Sequence, residues 1–186
     1  MKKITILLSL ILLLAPFGLG FKEAILNKGL EIGMGYVYNG FGFEIGFEQK
    51  MSDKIDLYPW LVLGGIGNEI GFGIQVDLPI NVFKQSLFSI AVGPFVGMNL
   101  ITPRNNSAKF NFDMGGYGLF SFDFRKESVP ISFSIGFGPD ISFSAYPSFR
   151  VFYTVNISIY LDGVIIQVGG NSKFAGLALK IPSISY

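Results

Sequence analysis

The chain contains no histidine, no cysteine and a single tryptophan among 186 residues. Without histidine there is no Ser-His-Asp triad and no imidazole base for another nucleophile. Without cysteine there is no thiol catalysis, no disulfide framework and no lipid-attachment site, and an ordinary zinc centre loses both its usual ligands. Charge is also sparse, at 15% of residues, with 14 basic against 13 acidic side chains. If residues 1–20 are removed, Lys2 and Lys3 leave with them, and 12 basic against 13 acidic residues give a net charge of −1. Neither balance provides the basic surface that nucleic acid requires. No catalytic constellation and no cofactor motif follows from such a composition, and the expected class is non-enzymatic. Gly33-Met34-Gly35 and Gly71-Phe72-Gly73 do not open nucleotide-binding loops, because each lies inside an extended pattern with no helix after it.

What the chain does have is apolar material distributed in an unusual way. Half of its residues are hydrophobic, 20 are Phe and 24 are Gly. The only continuous apolar run is at the start, MKKITILLSLILLLAPFGLG, where Lys2 and Lys3 precede Ile4 to Leu14 and small residues stand just before Phe21. That run falls short of the ~20 residues of a spanning helix. It reads as a secretory signal peptide over residues 1–20, leaving residues 21–186 as one domain.

Beyond it, hydrophobicity alternates. From Phe110 to Phe124, one set of positions is Phe110, Phe112, Met114, Gly116, Gly118, Phe120, Phe122 and Phe124; the other is Asn111, Asp113, Gly115, Tyr117, Leu119, Ser121 and Asp123. A period of two belongs to a β-strand between a greasy side and a wet one. Its length suits the 9 to 11 residues, approximately, of a tilted strand crossing hydrocarbon. Similar segments occupy Leu30 to Tyr38, Phe41 to Lys50, Ile55 to Gly65, Ile70 to Asn81, Phe88 to Asn99, Ile131 to Phe143, Val151 to Leu161, Val164 to Gly169 and Phe174 to Tyr186. The predicted fold is all-β: a transmembrane antiparallel up-and-down barrel of ten strands, with eight as the alternative should one hairpin be misread. Asn39-Gly40 and Asp162-Gly163 are expected to make two-residue turns. Pro79 and Pro94 are expected to mark bulges, and ITPRNNSAK, residues 101–109, is the longest connection. Both faces of Ile55 to Gly65 are apolar, which leaves its orientation open. A soluble barrel is disfavoured, since an interior of this size cannot hold five or more large side chains from nearly every strand.

On the face opposite the apolar one lie Glu31, Glu44, Glu48, Asp77, Asp113, Asp123 and Asp140, with Lys50, Arg150 and, less definitely, Lys180 as counter-charges. Rings of carboxylates favour cations, so the lumen is expected to be either a salt-bridged polar interior or a narrow path for small cations. Turn counting sets Asp113 opposite Ser142 and Ser142 opposite Arg150, with Arg150 in reach of both Asp113 and Asp140. The Asn39-Gly40 turn would set Glu31 directly across from Glu48, a like-charge pair that Lys50, or failing it a bound cation, would relieve.

GIQVDLPINVF followed by SIAVGPFVGMN resembles the strand pair of small outer-membrane β-barrel domains, and the terminal aromatic Tyr186 is similar to the last residue of their assembly signal. The resemblance implies an outer-membrane location in a Gram-negative-type envelope, contact with membrane lipid, and recognition of the last strand by the assembly machinery. It implies no chemistry. A surface binding or adhesion module using the external loops is the alternative function, weakened by the shortness of ITPRNNSAK and SAYPS.

Overall fold

Successive side chains of an extended segment point to opposite faces, and in this chain each face has found a different medium. In the computed structural model, described for residues 28–38, 40–66, 69–103, 107–125, 129–144, 146–171 and 174–182, the backbone forms eleven strand segments. These are β1 (Gly29–Val37), β2 (Gly40–Lys50), β3 (Asp56–Ile66), β4 (Glu69–Asp77), β5 (Ile80–Lys84), β6 (Phe88–Pro103), β7 (Lys109–Asp123), β8 (Ile131–Phe143), β9 (Ser148–Leu161), β10 (Val164–Asn171) and β11 (Phe174–Pro182). Every strand pairs antiparallel with its sequence neighbours except β4 and β5, which do not pair with each other, and β1 pairs with β11 from Gly29↔Pro182 to Val37↔Phe174, which closes the sheet. Both β4 and β5 pair with β6, so they are one barrel strand broken at Leu78-Pro79, and the barrel has ten strands rather than eight. Closure removes every free strand edge.

The break has a local cause. Pro94 of β6 stands opposite Leu78, whose N–H donates to the Pro94 carbonyl at 3.1 Å. Neither Pro79 nor Pro94 has an N–H to give, so both missing donors fall at one spot in the sheet. The expected bulge at Pro94 is absent: its pairing with Gly116 keeps the register of the residues on either side. The register shift near Pro79 comes later, between Asn81 and Phe83.

The wall is greasy outside and polar inside. Ile45 and Phe137 are 50% and 58% exposed, while Glu31 and Asp77 are wholly buried. The orientation of β3 is now fixed: Tyr58, Trp60 and Val62 point inward, and Leu63 faces out. A ten-stranded interior is wider than serine and aspartate can fill, and aromatic groups take up the space. Tyr58, Trp60 and Val62 pack with Val37 and Ala178. Ala91, Phe95, Tyr117, Leu119 and Phe152 form a second cluster, with the Phe95 and Phe152 rings 5.3 Å apart. Glycines make room for these rings. A Cβ on Gly46 would lie 2.6 Å from the Tyr58 hydroxyl, and one on Gly115 would lie 2.6 Å from the Phe95 ring.

Two expected registers need correction. The first hairpin does not take the Asn39-Gly40 register: Tyr38 has a positive φ, 48°, Gly40 already belongs to β2, opposite Val37, and Asn39 lies outside the described residues. Local turn preference yields here to packing, because the Tyr38 ring lies over Gly71 and Gly73. Glu31 therefore faces Gly46, and Glu48 faces Gly29. On the far side, Asp113 pairs with Ser142 as expected, but Ser142 meets Ser148, and Arg150 meets Asp140. The Asp162-Gly163 turn is present, with Leu161 opposite Val164 and Gly163 at φ 76°. The connection after β6 is shorter than expected, since strand pairing runs through Pro103. Residues 1–20, the terminal Tyr186 and the Gly67-Asn68 turn lie outside the described residues.

Candidate functional site in the barrel lumen

The inward side chains sort into three levels along the barrel. At the distal end, the end of the β1–β2 turn, Tyr38 donates its hydroxyl proton to Asn99 Oδ1 at 2.7 Å. Asn99 Nδ2 in turn donates to Asp113. Arg150 Nη2 lies 2.7 Å from Asp113 Oδ1 and 3.0 Å from Asp140 Oδ2. One guanidinium thus joins carboxylates from β7 and β8, as its fork of donors allows, and the chain of contacts runs from the β1–β2 turn through β6 and β7 to β8 and β9.

At mid-barrel, Trp60 Nε1 donates to Asp77 Oδ2 at 2.7 Å and Gln75 Nε2 to Asp77 Oδ1 at 3.0 Å. Glu44 is buried at this level between Gly33 and Val62. The opposite wall is built from hydroxyls and amides: the Ser121 and Ser134 hydroxyls are hydrogen-bonded at 2.6 Å, either one able to donate, and Asn156 Nδ2 donates to Ser158 at 3.0 Å.

At the proximal end, where β1 begins and β11 ends, Tyr58 donates to Glu31 Oε1 at 2.8 Å. Lys180 forms a buried ion pair with Glu48 and lies 5.8 Å from the Tyr58 ring. Lys50, expected to neutralise Glu48, instead pairs with Asp53 at 2.5 Å in the exposed β2–β3 turn. The cause is the two-residue register correction together with β11: Lys180 stands across β1 from Glu31, so its ammonium arrives from the other neighbour of that strand. The hydrogen bond to Asp53 holds Lys50 above its ordinary pKa, and Lys50 holds the Asp53 carboxyl below the usual carboxylate range. Asp123 belongs to none of these levels. It is clamped by Arg125 through Nε at 2.8 Å and Nη2 at 2.6 Å, and that guanidinium lies 4.0 Å over the Tyr160 ring.

The sequence face thus gathers Asp113, Asp140 and Arg150 at one end and Glu31 and Glu48 at the other, with Glu44 and Asp77 between. Sequence reasoning missed Tyr58, Trp60 and Asn99, which donate to Glu31, Asp77 and Asp113, and Tyr38, which donates to Asn99. The available signal was in β3, where an apolar face carrying a phenol and an indole also carries two donors. No cluster of carboxylates among the described residues has the arrangement of a metal site.

No family model, no curated protein and no solved structure matches this chain. The fold and its interior therefore carry the classification alone: a small, closed, ten-stranded antiparallel β-barrel with a hydrogen-bonded polar lumen and an apolar outer wall.

Proposed function

We propose that the protein is an outer-membrane β-barrel of a Gram-negative-type envelope, non-catalytic, with a lumen closed by its own side chains and a structural role in the membrane. The inversion of polarity carries this reading. Water-soluble folds bury apolar side chains and expose charge, whereas here Phe43, Ile45, Phe137 and Leu179 are exposed while Glu31, Glu44, Asp77 and Asp113 are buried. An apolar outer band on antiparallel, alternating strands is what a hydrocarbon solvent selects. Among the described residues no helix is long and apolar enough to cross a membrane. The signal peptide at residues 1–20 and a last strand recognised by the assembly machinery through Tyr186 complete the proposal.

A closed lumen is favoured over a cation path by the depth of burial at every level. Asp113 at the distal end, Asp77 at mid-barrel and Glu31 at the proximal end are 1%, 0% and 0% exposed. A conducting carboxylate ring must be wet.

The cysteine-free chain offers a direct test. Single cysteines at Phe137 on the outer wall and at Tyr146 in the exposed β8–β9 connection would be labelled with a small fluorophore after reconstitution, and quenching by lipids brominated on their acyl chains measured. Strong quenching at 137 and weak quenching at 146 is expected. Equal quenching at both, or none at 137, contradicts the membrane reading.

A further inference from the structure

The proximal mouth holds a feature that the closed lumen does not use. A cavity of about 630 Å³ opens there, lined by Lys28, Lys50, Lys54, Lys84, Asp53 and Asp56 together with Asn81, Val82 and Phe83. Four lysines against two aspartates give the lining a formal charge of +2, in a chain whose lumen-facing charges are mainly carboxylates. Lys50 is engaged by Asp53. The Asp56 carboxylate attracts Lys28 as well as Lys50. Among the described residues no ion pair is formed by Lys54 or Lys84, and Lys28, Lys54 and Lys84 all line one cavity.

The backbone that carries them is tied down. Asp56 N–H donates to the Pro79 carbonyl at 3.0 Å and Asn81 N–H to the Lys54 carbonyl at 2.7 Å, while Ile55 bridges to Ile80. The β2–β3 turn and β5 thus form one unit, which sets Lys54 and Lys84 on either side of the opening. The register shift between Asn81 and Phe83 puts an extra residue, Val82, into β5. As a result Val82 and Phe83 are both exposed, at 57% and 41%, next to Lys84. Phe83 is in ring contact with Phe88 of the outer wall at 6.2 Å. The cavity therefore has a cationic side and an apolar side, and the apolar side is continuous with the greasy exterior.

We propose that this mouth binds the phosphate group of an anionic phospholipid, with Lys28, Lys54 and Lys84 around the phosphate and Val82 and Phe83 against the start of the acyl chains. A phosphate oxygen accepts hydrogen bonds from ammonium groups, and lysine serves it as a point charge without demanding the planar geometry of arginine. A free phosphate offers the same anion but nothing for Val82 and Phe83, so the lipid source is favoured. The proposal rests on the membrane reading above and names the lipid class that reading would bring to this end.

The test uses protein purified from host membranes and reconstituted in nanodiscs of phosphatidylcholine with a minor fraction of phosphatidylglycerol. After release, lipid retained on the barrel is counted by native mass spectrometry. Phosphatidylglycerol is expected to be enriched roughly 30- to 150-fold over its share of the bilayer, the scale set by two or three lysines at an anionic lipid surface. The exposed double variant Lys54→Gln/Lys84→Gln should abolish the enrichment while keeping the heat-modifiable mobility of a folded barrel. Val82→Ser should reduce it. Enrichment unchanged in the double variant overturns the proposal, as does enrichment that Val82→Ser leaves unchanged, which would remove the apolar contact that distinguishes a lipid from a soluble phosphate. Failure of the membrane reading is seen separately, as protein that never enters the nanodisc, and it removes the proposal with it.

Discussion

The two ends of the lumen are both secured by ion pairs, yet by different means. At the distal end Arg150 is 44% exposed and holds two carboxylates, one of which, Asp113, also accepts from Asn99. At the proximal end Lys180 is only 4% exposed and holds Glu48 in a buried pair. Water can replace part of what Arg150 supplies. At Lys180 the cost of taking both charges out of water has already been incurred, and removing one partner strands the other. The proximal pair is thus the more fragile half of the barrel although it contains fewer contacts.

The largest expected effect follows from that asymmetry. Lys180→Met should destabilise the folded barrel by about 3 to 5 kcal/mol, the usual consequence of breaking a buried pair, measured by urea unfolding in micelles. Adding Glu48→Gln should restore most of the loss, because the stranded charge is then gone. A double variant as unstable as the single would place the energy in packing rather than in the pair.

Next in size is the outer wall, the reference against which both ends are set. Under the membrane reading proposed above, Phe120→Arg, on the outer face beside Phe88 and Phe137, should cost about 2 to 4 kcal/mol, as for a charge near a bilayer midplane. The same substitution at Tyr146, 85% exposed in the β8–β9 connection, should cost nearly nothing. Similar losses at both positions would remove the distinction between wall and mouth.

Arg150→Met should cost less than Lys180→Met, about 2 kcal/mol: Asp113 and Asp140 are buried and lose a charged partner, but the guanidinium is already partly in water and Asn99 still donates to Asp113. If Arg150→Met proves worse than Lys180→Met, the comparison of the two ends is inverted.

The smallest effect is at the Lys50–Asp53 turn, fully exposed at the rim. The folded Asp53 carboxyl has a pKa below its unfolded value, so its contribution is present above the ordinary carboxylate pKa and fades as pH falls through the lowered one. Lys50→Gln should flatten that acid-side slope in unfolding experiments and leave neutral-pH stability within error. An unchanged slope would mean that the turn contributes nothing to the proximal end.

The barrel itself was legible because alternation is a period of two repeated ten times, and each repeat constrains the same two faces. The charged members of the lumen were legible for the same reason. What could not be read were the side-chain partners. The first hairpin shows why: Asn39-Gly40 has the right turn chemistry, but Tyr38 gains a packing surface over Gly71 and Gly73 on a strand more than thirty residues away, and the register moves by two. That move preserves every facing and changes every partner, so Glu31 lost Glu48 and gained Tyr58. Lys180 was equally hidden, since its meeting with Glu48 depends on β11 closing against β1, a contact between opposite ends of the chain. Trp60 was obscured by the two apolar faces of its own strand; only the width of a ten-stranded interior explains why an indole belongs inside.

The central claim is that these contacts close the lumen, and electrical recording tests it most directly. Protein purified from membranes and reconstituted in a planar bilayer, bathed in concentrated potassium chloride, should give no discrete conductance steps. Lys180→Met/Glu48→Gln, which keeps the aromatic filling, should be equally silent. Stable unitary steps from the unaltered protein, with a reversal potential in a salt gradient showing preference for potassium over chloride, would contradict the closed lumen and restore the acidic residues as the lining of a cation path.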